Sequence, residues 1–438
     1  MSFLSKGFVK KSVTHSLLVA AFAFVGLTGC DSSDPAVEGS IIFEGRTDVT
    51  TTAATQSSVP QAYASAPLEG AVVTASTLSS SGQLQALDGS ATTDATGAFR
   101  LESEATASPV VITAAGDDIT VRALIEADAS ASGTIVTPPL SEETDGESAV
   151  YLAGRTQGRA FGVADVVAYV TSGLAARVRS GAASAASVAA AIELGREAEE
   201  AYAKDENGGN APDDEIRQAD EERQDDYAVL RAALYAATTV SARDAAIRSF
   251  EEAYADAYAE AGLSAEARAK AAQTAARATV RFSAEVEAEA ALALRKQAEV
   301  FAATTTGIAV EAAFQAAGAS SAMLETLAQA RTSLVADIRA AASASAIVSA
   351  QDTYHASVRA QIATETGISA ALLTTAEAAT GTATTTLDAA VSAATSAQAV
   401  VDATMTFYTS ARAALEASLG ASAEAELATE VLLLLAAS

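Results

Sequence analysis

Residues 264–303 have the sequence SAEARAKAAQTAARATVRFSAEVEAEAALALRKQAEVFAA, and their pattern predicts how most of the chain folds. Small or apolar residues recur along this stretch at spacings close to seven, at Ala269, Ala272, Ala276, Ser283, Val286, Ala290, Ala293 and Val300. Such a repeat is typical of helices that pack along a seam, here with alanine where leucine ordinarily stands. Alanine lets helix backbones approach closely but buries little area. We therefore expect stability to come from long, tightly packed antiparallel helices.

The helical pattern extends over residues 141–438, an alanine-rich segment that we expect to form an all-α bundle. Alanine, the strongest helix former, supplies roughly a quarter of the chain, and Pro212 is the only proline after Pro139. Segments of the form Gly-x-Ser predict helix boundaries, because glycine adopts the left-handed C-terminal cap and serine caps the next helix. These segments are Gly262–Ser264, Gly318–Ser320, Gly367–Ser369 and Gly420–Ser422.

Apolar residues at helical spacing predict which faces point into the bundle. One stripe, which we interpret as core rather than as a ligand site, consists of Ile247, Phe250, Tyr254, Tyr258 and Ala261. The acidic residues on the same segment predict a solvated exterior, and they are Asp244, Glu251, Glu252, Asp256 and Glu260. The apolar C-terminal run Val431–Ala437 is too short to cross a bilayer and is expected to close the bundle.

Residues 37–140 are instead rich in Thr, Ser, Val, Ile and Gly, which predicts a small antiparallel β-sandwich. The candidate strands are Ser40–Glu44, Ala71–Ser76, Gly97–Glu102, Pro109–Ala114, Ile119–Ala127 and Thr134–Thr137. The polar stretch Asp48–Ala66 is expected to be a loop. Pro138 and Pro139 mark the domain boundary, because paired prolines cannot continue a central strand. The predicted fold class is multidomain, a small antiparallel sandwich followed by a large all-α bundle of long helices.

Two segments sharpen the prediction for the β region, PLEGAVV at residues 67–73 and TDATGAFRL at residues 93–101. In the second, Asp94 is expected to bond its own turn, Gly97 to take a positive φ, and Phe99 and Leu101 to share the core face. Together the segments resemble the carboxypeptidase regulatory-like, or transthyretin-like, β-sandwich. That resemblance implies a spacer or binding role rather than catalysis.

The N-terminus carries three lysines, then an apolar run, and then Leu27-Thr28-Gly29-Cys30 before the polar residues Asp31–Pro35. This order is typical of an export signal. It resembles the signal and lipobox of bacterial lipoproteins, which implies that residues 1–29 are removed, that Cys30 carries the lipid, and that residues 30–36 form a tether. The alternative is an ordinary secretory signal with a stray cysteine. Two or three acyl chains suffice for stable anchoring, so we expect a cell-envelope protein at the outer membrane or the periplasmic face of the inner membrane.

The composition excludes several classes of function. With one cysteine and two histidines, the sequence predicts no internal disulfide, no catalytic triad, no cofactor and no metal site. The acidic turn around Pro212 lacks the spacing of a calcium loop, so we interpret it as a solvated connection. His355 is expected to be a surface or partly buried side chain. The paired carboxylates, such as Glu199 and Glu200, are expected to lie mostly on a solvated face. The net charge of −28, or −31 without residues 1–29, argues against a nucleic-acid partner.

The hypothesis that follows is a non-enzymatic envelope lipoprotein that acts as a scaffold or protein-binding module with an envelope protein partner. Two alternatives stay open. One is a lipoprotein that binds a sugar or peptide in a pocket between helices. The other is an enzyme that uses carboxylates and a divalent metal.

The excess of acidic residues also predicts a dependence of stability on salt. Only Lys204, Lys270 and Lys296 remain after residue 29, a lysine-poor, acid-rich composition that resembles proteins of salt-loving organisms. Because added salt screens self-repulsion, we expect the melting temperature to rise with NaCl concentration. A melting temperature that is the same in low and molar salt would contradict this prediction.

Overall fold

The computed structural model describes residues 40–50, 65–79, 82–104, 109–116, 118–126, 133–206, 213–259 and 262–437. The predicted signal peptide, Cys30 and the tether lie outside the described residues, as do most of the polar stretch Asp48–Ala66 and the acidic turn around Pro212. Within the described part, a small region of β-sheets precedes a large helical body. The predicted fold class is therefore confirmed.

Each of the six predicted strands is present, with ends that differ from the prediction by no more than two residues. The prediction missed the short strands that complete the sheets. In chain order the strands are β1 Ser40–Arg46, β2 Val49–Thr50, β3 Ser65–Ala66, β4 Val72–Leu78, β5 Leu84–Ala86, β6 Ala91–Thr92, β7 Ala98–Glu104, β8 Val110–Gly116, β9 Ile119–Ile125 and β10 Gly133–Val136. They form a sheet of order β10-β1-β7, a sheet of order β5-β4-β8-β9 in which β6 also pairs with β4, and the separate pair β2-β3.

The two larger sheets enclose a core that follows the alternation of their strands. Phe43, Phe99 and Leu101 from one sheet pack with Val73 and Ile112 from the other. In the turn before β7, Asp94 Oδ1 accepts hydrogen bonds from the backbone of Thr96 at 2.8 Å and of Ala98 at 2.9 Å, as predicted. Gly97 takes a φ of +74°, which completes the predicted turn.

One pairing departs from the predicted antiparallel arrangement, because β10 runs parallel to β1. Between them the chain forms β7 of the same sheet, the pair β2-β3 and all five strands of the second sheet, and this long connection supplies the crossover that a parallel pair requires. The parallel register continues past β10, where Thr137 donates to the carbonyl of Glu44 at 2.8 Å and Leu140 donates to that of Arg46 at 2.8 Å. Pairing in this direction carries the chain straight into the first helix.

The outer face of the larger sheet packs against the helices. Alternation along β9 places Val121 and Ile125 in the sandwich core, whereas Leu124 joins an apolar cluster with Tyr151 and Val163 of the helical body. The hydroxyl of Tyr227 donates to the Leu124 carbonyl at 2.7 Å, which ties a helix directly to the strand. Residues 36–438 accordingly form one compact unit.

The helices follow the sandwich without an intervening strand in the described residues. They are α1 Glu142–Thr156, α2 Val163–Tyr169, α3 Ser172–Arg179, α4 Ala185–Glu206, α5 Asp213–Ala236, α6 Val240–Asp256, α7 Ala265–Phe282, α8 Ala288–Ala316, α9 Ser321–Ala340, α10 Ala344–Thr366, α11 Ala370–Ala379, α12 Gly381–Ala393, α13 Ala397–Leu419 and α14 Ala423–Ala436. Short 3-10 turns at Ala257–Ala259 and Ser283–Glu285 flank α7.

All four predicted Gly-x-Ser boundaries are confirmed. Their glycines have φ values from +70° to +90°, and the serines are N-caps whose hydroxyls accept from the backbone three residues later. Ser343 and Ser396 cap α10 and α13 in the same way without a glycine before them, so the sequence pattern missed these two. Serine capping thus sets the start of most helices in the C-terminal half.

The stretch that predicts the bundle forms two helices, α7 and α8, separated by the turn at Ser283. The predicted seam is buried except at Ala293, which is only partly covered. Helix α7 is also buried on its other faces, because α4, α8 and α13 all pack against it. Its polar residue Gln273 is satisfied inside the bundle, donating to the Leu434 carbonyl at 2.9 Å and to the Thr306 hydroxyl at 2.8 Å.

The C-terminal helix closes the bundle as predicted. In α14, Val431 and the four leucines Leu432–Leu435 are almost completely buried and belong to the largest apolar cluster. Among the helices that the structure describes, none combines the length and apolarity that a bilayer span requires.

Two glycines give a matched test of close packing between α4 and α7. A Cβ at Gly195 would collide with the Thr279 side chain, whereas a Cβ at Gly173 of α3 meets nothing within 4 Å. We expect Gly195→Ala to lower the free energy of unfolding by about 1–3 kcal/mol through overpacking. Gly173→Ala should instead raise it by about 0.4–1 kcal/mol, because alanine restricts the unfolded chain. Chemical denaturation measures both values, and equal effects of the two substitutions would contradict the close approach.

Candidate functional site

The residues singled out in the sequence do not converge on one site. Cys30 lies outside the described residues. His355 is partly buried on α10, and burial together with nearby Arg359 lowers its pKa to about 4, so it is neutral at pH 7. Within the described part of the chain, no three His, Cys, Asp or Glu side chains come together in an arrangement that could hold a metal ion.

The densest group of charges is a buried network centred on Arg196 of α4, whose side chain is 5% exposed. Its guanidinium contacts Asp165 of α2 at 3.0 Å, Glu199 at 2.8 Å and Glu200 at 3.0 Å. A fourth carboxylate, that of Asp220 on α5, also pairs with it. Arg196 therefore joins three helices.

Arg223 of α5 is the second cation of this network, and its side chain is 2% exposed. Its Nη2 lies 3.0 Å from both carboxylate oxygens of Glu199. The guanidinium carbon lies 4.3 Å from the ring centre of Tyr254 and 5.1 Å from that of Tyr258, which are cation–π distances. The predicted aromatic stripe is thus core, and it packs around a charge.

Asp165 illustrates how the network balances its charges. Burial alone would raise the pKa of this carboxyl, but Arg196 and Arg223 outweigh burial and lower it. The Tyr254 hydroxyl also donates to Asp165 Oδ1 at 2.7 Å, and the Gly162 amide donates to Oδ2 at 2.8 Å. Because Asp165 and the two arginines are buried and paired within this network, removing any one of them would leave an uncompensated charge inside the bundle.

Two acidic residues expected on solvated faces are buried, and that part of the prediction is wrong. Glu199 is enclosed between Arg196 and Arg223. Glu251 of the aromatic stripe pairs with Arg339 of α9 and accepts from Gln297 of α8. Arginine partners from distant helices make this burial possible. In the sequence, only the i, i+3 spacing of Arg196 and Glu199 within α4 indicated such a pair.

A second group of carboxylates lies where β9 meets the helices. Nearby arginines offset the burial of these carboxylates less than they do in the network around Arg196. Alternation along β9 places Glu126 on the same face as Arg122 and Leu124. Burial, reinforced by the negative charge of Asp165, raises the pKa of Glu126 to about 7. On α1, burial and the neighbouring Glu143 raise the pKa of Glu147 well above its usual value. The interface between sheet and helices therefore contains carboxyl groups whose pKa values are raised by burial.

The open feature nearest this interface is a pocket of about 580 Å³ between β9, α1 and α3. Asp145 of α1 lines the pocket, with a side chain 9% exposed, and accepts from Arg122 Nε at 2.8 Å and from Arg179 Nε at 3.0 Å. Arg179 Nη1 also contacts Glu142 at 3.0 Å. Ala149 and other small or apolar side chains complete the wall.

This pocket presents charged hydrogen-bond donors and acceptors on the molecular surface. Nothing in the sequence brings its parts together, because Arg122 lies in a strand, Asp145 in the first turn of α1 and Arg179 in the last turn of α3. A carboxylate in the first turn of a helix and an arginine in the last turn are each the usual complement of the helix dipole. Their role as pocket residues depends on tertiary packing alone.

Comparisons with known proteins add no further assignment. No protein-family model, curated protein or solved structure matches this chain. The resemblances to bacterial lipoproteins and to the carboxypeptidase regulatory-like sandwich therefore stay predictions based on the quoted residues.

Proposed function

We propose that the chain is a lipid-anchored protein of the bacterial cell envelope that acts as a non-catalytic scaffold or protein-binding module. The observation that carries this proposal is Leu27-Thr28-Gly29-Cys30 at the end of an apolar run that begins after three lysines. Alkylation of the Cys30 thiol and cleavage before it would leave the acyl chains at the new N-terminus. Residues 30–36 would then tether the sandwich to the membrane.

The way in which the two parts of the chain are joined supports a scaffold. Arg46 of β1 donates to the Ala237 carbonyl at 3.0 Å, and Arg231 of α5 donates to the Val136 carbonyl at 3.2 Å. Arg243 of α6 pairs with Asp48 at 2.7 Å. These contacts between strands and helices resist relative motion, so a partner bound to the helices would be held at a fixed position relative to the β-sandwich. A protein partner that presents basic residues would complement the net charge of −28.

Replacing Cys30 tests the proposal. Cys30→Ser is expected to abolish incorporation of radiolabelled palmitate and to leave residues 1–29 uncleaved, because the thiol that would receive the acyl chains is gone and cleavage follows its alkylation. Ser32→Ala, two residues away, is the matched control and should retain label and membrane association. A Cys30→Ser variant that still takes up label, or a wild-type protein that takes up none, would contradict the proposal.

Binding of a small ligand is a second candidate function, and the pocket between β9, α1 and α3 is the observation that favours it. Its charged groups include a buried carboxylate and two arginines that are partly exposed, with side chains 31% and 27% exposed. Polar groups that converge on a concave surface are the groups that orient a bound ligand. An anchored protein can be both a scaffold and a ligand-binding module.

A further inference from the structure

We propose that the pocket between β9, α1 and α3 binds a zwitterionic ligand of the amino-acid or short-peptide class, with its carboxylate held by Arg122 and Arg179. This inference deepens the second candidate function and does not depend on the lipid anchor. It rests on the hydrogen-bond donors that the two arginines retain, on their fixation by Asp145, and on the balance of charge around the pocket.

The two arginines retain donors that a ligand can use. A guanidinium has five N–H donors, and the ion pairs of Arg122 within the described residues involve Nε alone, so its Nη groups stay available. Among the described residues, the ion pairs of Arg179 involve Nε, which contacts Asp145, and Nη1, which contacts Glu142, and none involves Nη2. A planar carboxylate accepts two parallel hydrogen bonds from such groups.

Asp145 acts as a positioning residue for both guanidiniums. Its two oxygens each accept from one Nε, so the arginines are fixed on either side of a single buried carboxylate. Because the side chains are already ordered, a ligand would not have to immobilise them, which lowers the entropic cost of binding. Asp145 itself belongs to a helix whose N-cap, Ser141, closes a capping box with Thr144.

The charge balance of the pocket selects the class of ligand. Arg122 and Arg179 contribute two positive charges, and Asp145 and Glu142 contribute two negative ones. A multiply charged anion would be repelled by the carboxylates, and a simple cation by the arginines. A zwitterion can place its carboxylate against the arginines and its ammonium group near Glu142, whose side chain is 39% exposed at the rim.

Calorimetry with glycylglycine as the probe tests the inference on the full-length protein in detergent. We expect glycylglycine to bind, N-acetylglycine to bind more weakly because it lacks the ammonium group, and glycinamide not to bind because it lacks the carboxylate. Arg122→Met and Arg179→Met should each weaken glycylglycine binding about tenfold or more, as expected for the loss of hydrogen bonds to a charged group. Asp145 keeps one arginine in either variant, so both variants should fold.

Two further variants separate a specific site from a general charge effect. Arg100→Met removes an exposed arginine of β7 that pairs with Glu44 outside the pocket, and it should leave binding unchanged. Ala176→Leu fills the pocket from an exposed position of α3 without touching an ion pair, and it should block binding. The inference is overturned if glycylglycine does not bind the wild type, if glycinamide binds equally well, or if Arg100→Met weakens binding as much as Arg122→Met.

Discussion

Replacing Arg223 by methionine is expected to lower the free energy of unfolding by about 3–5 kcal/mol, the usual cost of removing one partner from a buried ion pair. Methionine approximates the length of the side chain but leaves the carboxylate of Glu199 with one cation instead of two. The substitution also removes the cation that lies over the rings of Tyr254 and Tyr258. Urea denaturation followed by circular dichroism measures the loss.

Arg217→Met is the matched control for this prediction, because Arg217 belongs to the same helix and also pairs with a carboxylate. Its side chain is 64% exposed and its partner Glu221 is 59% exposed. Exposed pairs at this spacing contribute about 0.3–0.5 kcal/mol, so Arg217→Met should change stability by less than about 1 kcal/mol. Similar losses in Arg217→Met and Arg223→Met would contradict the structural role of the buried network.

Replacing Glu126 by glutamine is expected to raise stability at pH 8 and to leave it nearly unchanged at pH 5. The pKa of Glu126 is raised in the folded protein, from 4.5 to about 7, chiefly by burial and then by the charge of Asp165. The folded state therefore binds more protons than the unfolded state between these values, and stability falls as the pH rises through this window. A shift of this size corresponds to about 3 kcal/mol, which the neutral glutamine should recover at pH 8.

The groups around Glu126 define what this experiment isolates. Arg155 and Arg231 partly offset the burial of its charge, and the backbone of Val163 donates to it. Tyr151 and Tyr227 also lie close enough to sense that charge, and burial keeps both phenols protonated over the tested range. Glu147 shifts the stability of the wild type and of the variant in the same direction, so the difference between the two proteins reports on Glu126 alone.

Glu104→Gln provides the control at an exposed position of β7, and as a surface substitution it should change the free energy of unfolding by no more than about 0.5 kcal/mol. A Glu126→Gln variant that is no more stable than the wild type at pH 8 would show that the Glu126 carboxylate is well solvated. The prediction would then be wrong.

The features predicted well are those that depend on neighbours in the sequence. Asp94 and Gly97 specify their turn through local backbone geometry, and the Gly-x-Ser segments specify helix ends in the same way. Strand alternation placed Phe99 and Leu101 in the core because side chains on a strand point to opposite faces. Local chemistry therefore predicts the elements and their buried faces.

The features that were missed depend on partners far apart in the chain. Glu251 looked solvated because its partner Arg339 lies 88 residues away. Glu199 looked solvated because Arg223 comes from another helix, 24 residues further on. The parallel pairing of β10 with β1 and the pocket around Asp145 likewise require the packed structure. In an alanine-rich bundle the helices approach closely enough to bury charges, and periodicity alone does not reveal which carboxylates have a cation opposite them.

We propose that Cys30 is the lipidated N-terminus of the mature protein. Mass spectrometry of that terminus is the direct measurement of this modification. After residue 29 the first cleavage site for trypsin is Arg46, so digestion should release a peptide that spans residues 30–46. We expect this peptide to begin at Cys30 and to be heavier than its sequence by a diacylglyceryl group. A peptide with an unmodified Cys30 thiol, or one that extends from Ser12 to Arg46, would contradict it.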